Sequence, residues 1–295
     1  MTGGAQERTE LARSLLRGAV DLHIHTAPDI FPRSVDAIEA ADEAKAAGMA
    51  AIAVKSHSTD TSARAETASR RTGFPVVGGV ALNYPVGGLN PHAVQESARQ
   101  GGRIVWLPTL AARHFLAHAD NVPVLRDKSP LDSEGIVVTT EDGGLEPEVE
   151  EVLQLVRQHD MVLCSGHVSP AEALAVFRRA REIGIDRLVV THPHAAFVGA
   201  SAEDMAELAA LGAMNEMHYA FVTPIIDPPQ TMGHLADLIR AVGVASCYLA
   251  TDGGQAINPH PVEALRLFVE GMLAEGFTAD EVRYMTAEAP RRLLD

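Results

Sequence analysis

The chain has 295 residues, 46% apolar and 21% charged, with a formal net charge of −15. Proteins that bind a phosphate backbone need a basic footprint, and an aromatic content of 4% leaves little for base stacking, so nucleic acid is excluded as the main partner. Two cysteines exclude a disulfide framework, no apolar run is long enough to span a membrane, and the opening MTGGAQERTELARSLLRG has no apolar leader core. A cytoplasmic globular protein is expected, without a membrane partner; a homo-oligomer is compatible with the sequence.

Short apolar runs alternate with Ala-, Glu- and Arg-rich stretches of helical period. In chain order the expected strands are 20–25, 51–57, 75–82, 103–109, 161–167, 187–192, 213–218 and 246–252. The helical stretch 34–48 offers Ser34 as a cap and Gly48 as a stop. The one from Ser169 carries Pro170 at its first position and a capping-box Glu172, and the one from Ser201 repeats the design. Strand-plus-helix units recur at similar spacing, except that the interval between the fourth and fifth strands is about twice as long. An insertion is therefore expected over about 110–148, carrying Arg113, His114, His118 and a hairpin at 135–144. Eight such units predict an α/β fold, a (β/α)8 TIM barrel, as one domain over 1–295. An open doubly wound sheet is the alternative architecture, although no Gly-x-Gly-x-x-Gly follows a strand.

The chain has 13 histidines, and six of them end or nearly end an expected strand: His23, His25, His57, His167, His192 and His218. In a (β/α)8 barrel those ends build the catalytic face, and imidazole is the commonest protein metal ligand. In Asp21-Leu22-His23-Ile24-His25 the two imidazoles share one face of the strand and can converge on one ion, while the apolar alternates turn toward the helices. Asp252, before Gly253 and Gly254, can bind metal and accept a proton, or simply form the turn.

His-x-His, His, His and Asp on the first, fifth, sixth and eighth strands resemble the amidohydrolase superfamily of metal-dependent barrel hydrolases, and the tail GFTADEVRYMTAEAPRRLL is similar to its closing helices. The resemblance implies one metal on His23, His25 and Asp252, with His167 and His192 holding a second metal or contacting substrate. It also implies a metal-activated hydroxide as nucleophile and Asp252 as proton shuttle. The metal is expected to be Zn²⁺, one or two per chain, with Mn²⁺ or Fe²⁺ as alternatives. The superfamily's bridging Lys or Glu at the end of strand four has no counterpart in RIVWLPT. Lys55, inside an apolar second strand, is the substitute: either a carbamate bridging two metals, or an ammonium that binds an anionic substrate group. The substrate-binding role is favoured.

DLHIHT followed by AIAVKSH is similar to the polymerase-and-histidinol-phosphatase barrels, which makes His57 a further expected ligand and a phosphoesterase the alternative activity. A metal-dependent decarboxylase is the third reading. Arg33, Glu216, His218 and Gln255 are expected to contact a small-molecule substrate. Cys164 and Cys247 are expected to be inert thiols facing the helices.

Overall fold

The computed structural model describes residues 2–118, 120, 122 and 134–295. Helix α1 (Thr2–Leu15) leads into β1 (Val20–His25), α2 (Ala37–Ala46), β2 (Ala51–Lys55), α3 (Ser62–Thr72), β3 (Val76–Val77), β4 (Gly79–Ala81), α4 (Pro91–Arg99) and β5 (Ile104–Trp106). Then follow α5 (Arg113–His118), α6 (Pro147–Gln158), β6 (Val162–Cys164), α7 (Pro170–Glu182), β7 (Leu188–Val190), α8 (Ala202–Ala210) and β8 (Met214–His218). The chain ends with α9 (Met232–Val242), β9 (Cys247–Ala250), α10 (Pro261–Ala274), α11 (Ala279–Arg283) and α12 (Ala289–Leu294). No described helix is long and apolar enough to cross a membrane.

Among the described residues, every strand pairing is parallel. The strands form a three-stranded sheet, β1-β2-β3, and a six-stranded sheet running from β4 to β9 in sequence order. The expected third strand is broken at Gly78, because the start of α3 wedges into it. A Cβ on Gly78 would lie 2.5 Å from Ser62 Cα. Thr61 N donates to Gly79 O at 3.0 Å, and Thr61 Oγ1 donates to Val54 O at 2.7 Å, so one threonine spans the seam between β2 and β4. At the opposite edges, His25 N donates to Gly253 O at 2.8 Å, joining β1 to the segment after β9.

Several expected boundaries shift for local reasons. His57, His167, His192 and Asp252 leave the strand ladders and sit on the loops that follow. His192 and Asp252 have φ of 30° and 47°, left-handed values that no strand accommodates. Asp36, not Ser34, caps α2: its carboxylate accepts from Ile38 N and Glu39 N at 2.8 Å. Ser34 N is bonded instead to Gly254 O at 2.9 Å, tying the loop after β1 to the loop after β9. Ser169 and Ser201 cap α7 and α8 as expected, with Asp204 completing the second box. Of the expected insertion, Ala119, Asn121 and residues 123–133 lie outside the described residues. The expected hairpin at 135–144 is a turn, with one antiparallel bridge between Thr139 and Leu145.

Apolar strand faces pack against the helices in three clusters, and a fourth gathers strand residues over α12. Ile24 packs with α2 and α3 as expected, but Val20 and Leu22 join the α12 cluster, and the β1–β2 register slips between Asp21 and Ile24. Cys247 faces the helices, whereas Cys164 lies with Trp106 and Tyr248 in the fourth cluster, close enough to Lys55 and Glu216 to interact with their charges. Both thiols are free, and burial raises the pKa of each.

Candidate metal centre

At the C-terminal ends of the strands, His23 Nδ1 lies 3.1 Å from Glu216 Oε2, and Tyr248 Oη donates to Glu216 Oε1 at 2.6 Å. A carboxylate can only accept, so His23 carries its hydrogen on Nδ1 and leaves Nε2 bare. That bare nitrogen is 3.6 Å from Asp252 Oδ1 and 3.1 Å from Lys55 Nζ. His25 Nε2 lies 3.1 Å from the same Asp252 oxygen. His218 Nε2 is 3.1 Å from the same Glu216 Oε2, though without hydrogen-bond geometry.

These atoms overlap in three candidate ligand groups, each within 4.8 Å: His23, His25 and Asp252; His23, Glu216 and His218; and His192, His218 and Asp252. The residues suit a divalent ion of the imidazole- and carboxylate-binding kind. Independently, Nδ1 of His25, His167, His192 and His218 are all buried without a hydrogen-bond partner. Buried polar atoms are seldom left unpaired without a functional reason.

The electrostatics agree. Burial lowers His23 to about 4 and His25 to about 3, and takes His57, His167 and His192 well below the ordinary imidazole value, so all five rings are neutral at pH 7. Burial would raise the carboxyls of Glu216 and Asp252, but the imidazoles beside them hold both well below the usual range. Burial also lowers Lys55, which is fully enclosed beside His23 and sits 5.4 Å from the centre of the Trp106 ring. Two ionised carboxylates beside one lysine leave a negative excess that a cation would balance.

A cavity of about 180 Å³ opens above this cluster. His23, His25, Lys55, His167, His192 and Asp252 form its polar end, and Phe31, Phe197, Phe221, Pro224, Ile225 and Ile257 are among its walls. Arg33 and Gln255 also line it. Arg33 is engaged by Asp29, with Nε and Nη2 at 2.9 and 2.7 Å from one carboxylate oxygen, and Gln255 bonds Asp252 O and Asn258. Glu216 and His218, expected as substrate contacts, do not line the cavity. They lie buried against His23, with Glu216 Oε2 3.1 Å from its Nδ1 and the His218 ring centre 4.5 Å from its own.

Other histidines stand outside the three ligand groups. His57 borders the cavity but belongs to none of the three ligand groups. His114 and His118 stack on each other at 4.3 Å on α5, away from the cavity. His194 has both ring nitrogens occupied, with Nδ1 bonded to Gln230 Oε1 at 2.8 Å and Nε2 accepting from His218 N at 3.0 Å. Three further features carry no strong sequence signal. Phe31 and Phe197 of the walls come from loops, and Phe221 from a single 3-10 turn. Asn83 and Thr109 stand behind His57. Asp21 accepts from Thr251 Oγ1 at 2.5 Å and from Thr251 N at 3.1 Å, anchoring the residue before Asp252. The Asp-x-His-x-His spacing was the one available hint to Asp21.

No curated protein matches the chain by sequence. Among solved structures, a probable dipeptidase, PvdM, from Pseudomonas aeruginosa is similar, with a TM-score of 0.65 and 11% identity over 98% of each chain. An amidohydrolase from Pseudomonas aeruginosa has a TM-score of 0.60 and 14% identity, covering 97% of this chain and 98% of its own. The organophosphorus hydrolase of Deinococcus radiodurans has a TM-score of 0.61 and 12% identity, covering 96% and 94%. At these identities the likeness is one of fold. Residues 18–216 match a family described as a family of unknown function, DUF6282. The chain belongs to that family, and it shares its fold with these three solved structures.

Proposed function

We propose that this protein is a metal-dependent hydrolase of the amidohydrolase type, built on a (β/α)8 frame with an insertion over about 110–148. It cleaves an amide, lactone or similar C–N or C–O bond in a small molecule. The observation that carries this reading is the convergence of His23, His25 and Asp252 at the closed end of the cavity, with Glu216 fixing the His23 tautomer. Those three residues would hold the first ion, with Zn²⁺ the leading candidate. His192, with His218 and Asp252, offers a second position, and His167 borders the same space. When bound, the ion supplies a Lewis acid for a carbonyl oxygen and lowers the pKa of water toward about 7.

The chain's own residues supply the rest. Asp252, ionised and 3.1 Å from His25 Nε2, takes a proton from the attacking water and returns it to the leaving group. Lys55 Nζ lies 3.1 Å from His23 Nε2 and lines the cavity; with His23 holding an ion, the amine would be left to bind a substrate oxygen. The phenylalanine and proline walls hold an apolar substrate body and exclude water. Arg33, although engaged by Asp29, and Gln255 border the entrance and bind polar substituents.

A phosphoesterase is the second reading, favoured by the two cationic side chains, Lys55 and Arg33, that line the cavity. Elemental analysis of the purified protein, followed by assay of the zinc- and manganese-loaded forms on amides, lactones and phosphate monoesters, tests both. Metal uptake with turnover of amides or lactones is expected. Turnover confined to phosphate esters favours the second reading, and failure to take up metal sinks both.

A further inference from the structure

Resting on the hydrolase reading only for the identity of its ligand, we propose that His57 is not a metal ligand. It is a hydrogen-bond donor to a substrate oxygen, with its Nε2–H fixed by a buried Asn83–Thr109 relay.

The direction of the relay follows from the backbone. Asn83 Oδ1 accepts from Thr109 N at 2.8 Å and from Ala111 N at 3.1 Å. Two main-chain donors on that atom identify it as the oxygen, so Asn83 Nδ2 is the donor. It donates to His57 O at 2.8 Å and to Thr109 Oγ1 at 2.6 Å. The fully buried Thr109 hydroxyl receives one hydrogen from Asn83, and among the described residues its other bonded atom is His57 Nδ1, 2.9 Å away, so its own hydrogen goes there. A neutral imidazole that accepts at Nδ1 carries its hydrogen on Nε2.

His23 has the opposite backing. The carboxylate behind it draws the hydrogen to Nδ1 and leaves Nε2 free to ligate. The hydroxyl behind His57 occupies the Nδ1 lone pair and leaves Nε2 with a hydrogen and no lone pair to offer. His57 is also absent from every converging ligand group. Its ring stacks on that of His25 at 4.9 Å and 24°.

The position of the ring supplies the acceptor. His57 lines the cavity above the metal ligands and also a second cavity of about 380 Å³ bordered by Ile30, Ser58, Tyr84 and Leu110. With Nδ1 turned to Thr109, the Nε2–H edge is left to face this junction. A carbonyl, carboxylate or hydroxyl oxygen on a substrate that reaches from one cavity toward the other would meet it. Asn83 and Thr109 are positioning residues that act through His57.

The test uses full-length protein labelled with [¹⁵N]histidine and loaded with zinc. Long-range ¹H–¹⁵N correlation gives each ring's tautomer, and the signal missing in His57→Gln identifies His57. The expected result is a neutral Nε2–H tautomer that persists in Thr109→Ser and is lost or mixed in Thr109→Val. Zinc content in His57→Gln should equal that of the unaltered protein, while His23→Ala should lose zinc. An Nδ1–H tautomer, a metal-shifted ring nitrogen on His57, or loss of zinc in His57→Gln with the circular-dichroism spectrum unchanged overturns the proposal. If the unaltered protein binds no zinc, the hydrolase reading falls, while the Thr109 series still decides the tautomer.

Discussion

The two sides of the histidine cluster are supported by different physics. On the β8–β9–β1 side, hydrogen bonds set the geometry. His23 is held by Glu216, Glu216 by Tyr248, and the turn carrying Asp252 by Asp21 through Thr251. On the β6–β7 side, His167 and His192 have unpartnered Nδ1 atoms and are held by ring packing, 4.9 and 5.3 Å from Phe197, with Phe115 and Phe221 alongside. Hydrogen bonds fix both ring orientation and tautomer, whereas packing fixes orientation alone. The hydrogen-bonded His23 and Asp252 are therefore ordered for an ion beforehand, whereas the unpartnered nitrogens of His167 and His192, like those of His25 and His218, cost about 1–3 kcal/mol each until something pairs with them.

Breaking the first side should have the largest effect. His23→Ala is expected to lose tightly bound metal and all measurable turnover while circular dichroism stays unchanged, and His192→Ala should lose less metal. Equal metal retention by the two variants would remove the distinction between the sides. Asp252→Asn should keep much of the metal, because an amide oxygen still ligates, and lose about 10²–10⁴-fold in kcat because an amide cannot shuttle a proton. Near-normal kcat would reduce Asp252 to a ligand and turn residue.

Smaller changes sharpen the comparison. Glu216→Gln leaves the shape of the site and removes the charge behind His23, so metal affinity should fall about 10–100-fold in chelator competition. An unchanged affinity would mean that packing orients both sides equally well. Lys55→Met should raise KM and leave metal content as it is, since the amine serves substrate. Loss of one metal equivalent, with recovery by bicarbonate and a short carboxylic acid in Lys55→Ala, would instead make Lys55 a carbamate bridge.

The clustering of histidines at strand ends was legible because strand period and cap chemistry are local. His-x-His places two rings on one face by alternation alone, and the bounds of β1 and the caps Ser169 and Ser201 follow from neighbouring residues. The break at Gly78 was not legible, because it comes from α3 pressing on a strand many residues away. Nor was the strand exit at His192 and Asp252, where the surrounding fold holds non-glycine residues at positive φ.

The sequence by itself determined which residues gather at the strand ends: the imidazoles, Asp252 and Lys55. Only the tertiary structure decided what each one touches. Glu216 was placed behind His23 with His218 beside it, His194 has both ring nitrogens bonded, and Cys164 turned to the strand side. The role of an imidazole depends on which nitrogen keeps its lone pair, and that is set by the partner on the other nitrogen: Glu216 for His23 and Thr109 for His57. Those partners lie far away in the chain, and local sequence pattern does not encode contacts at that separation.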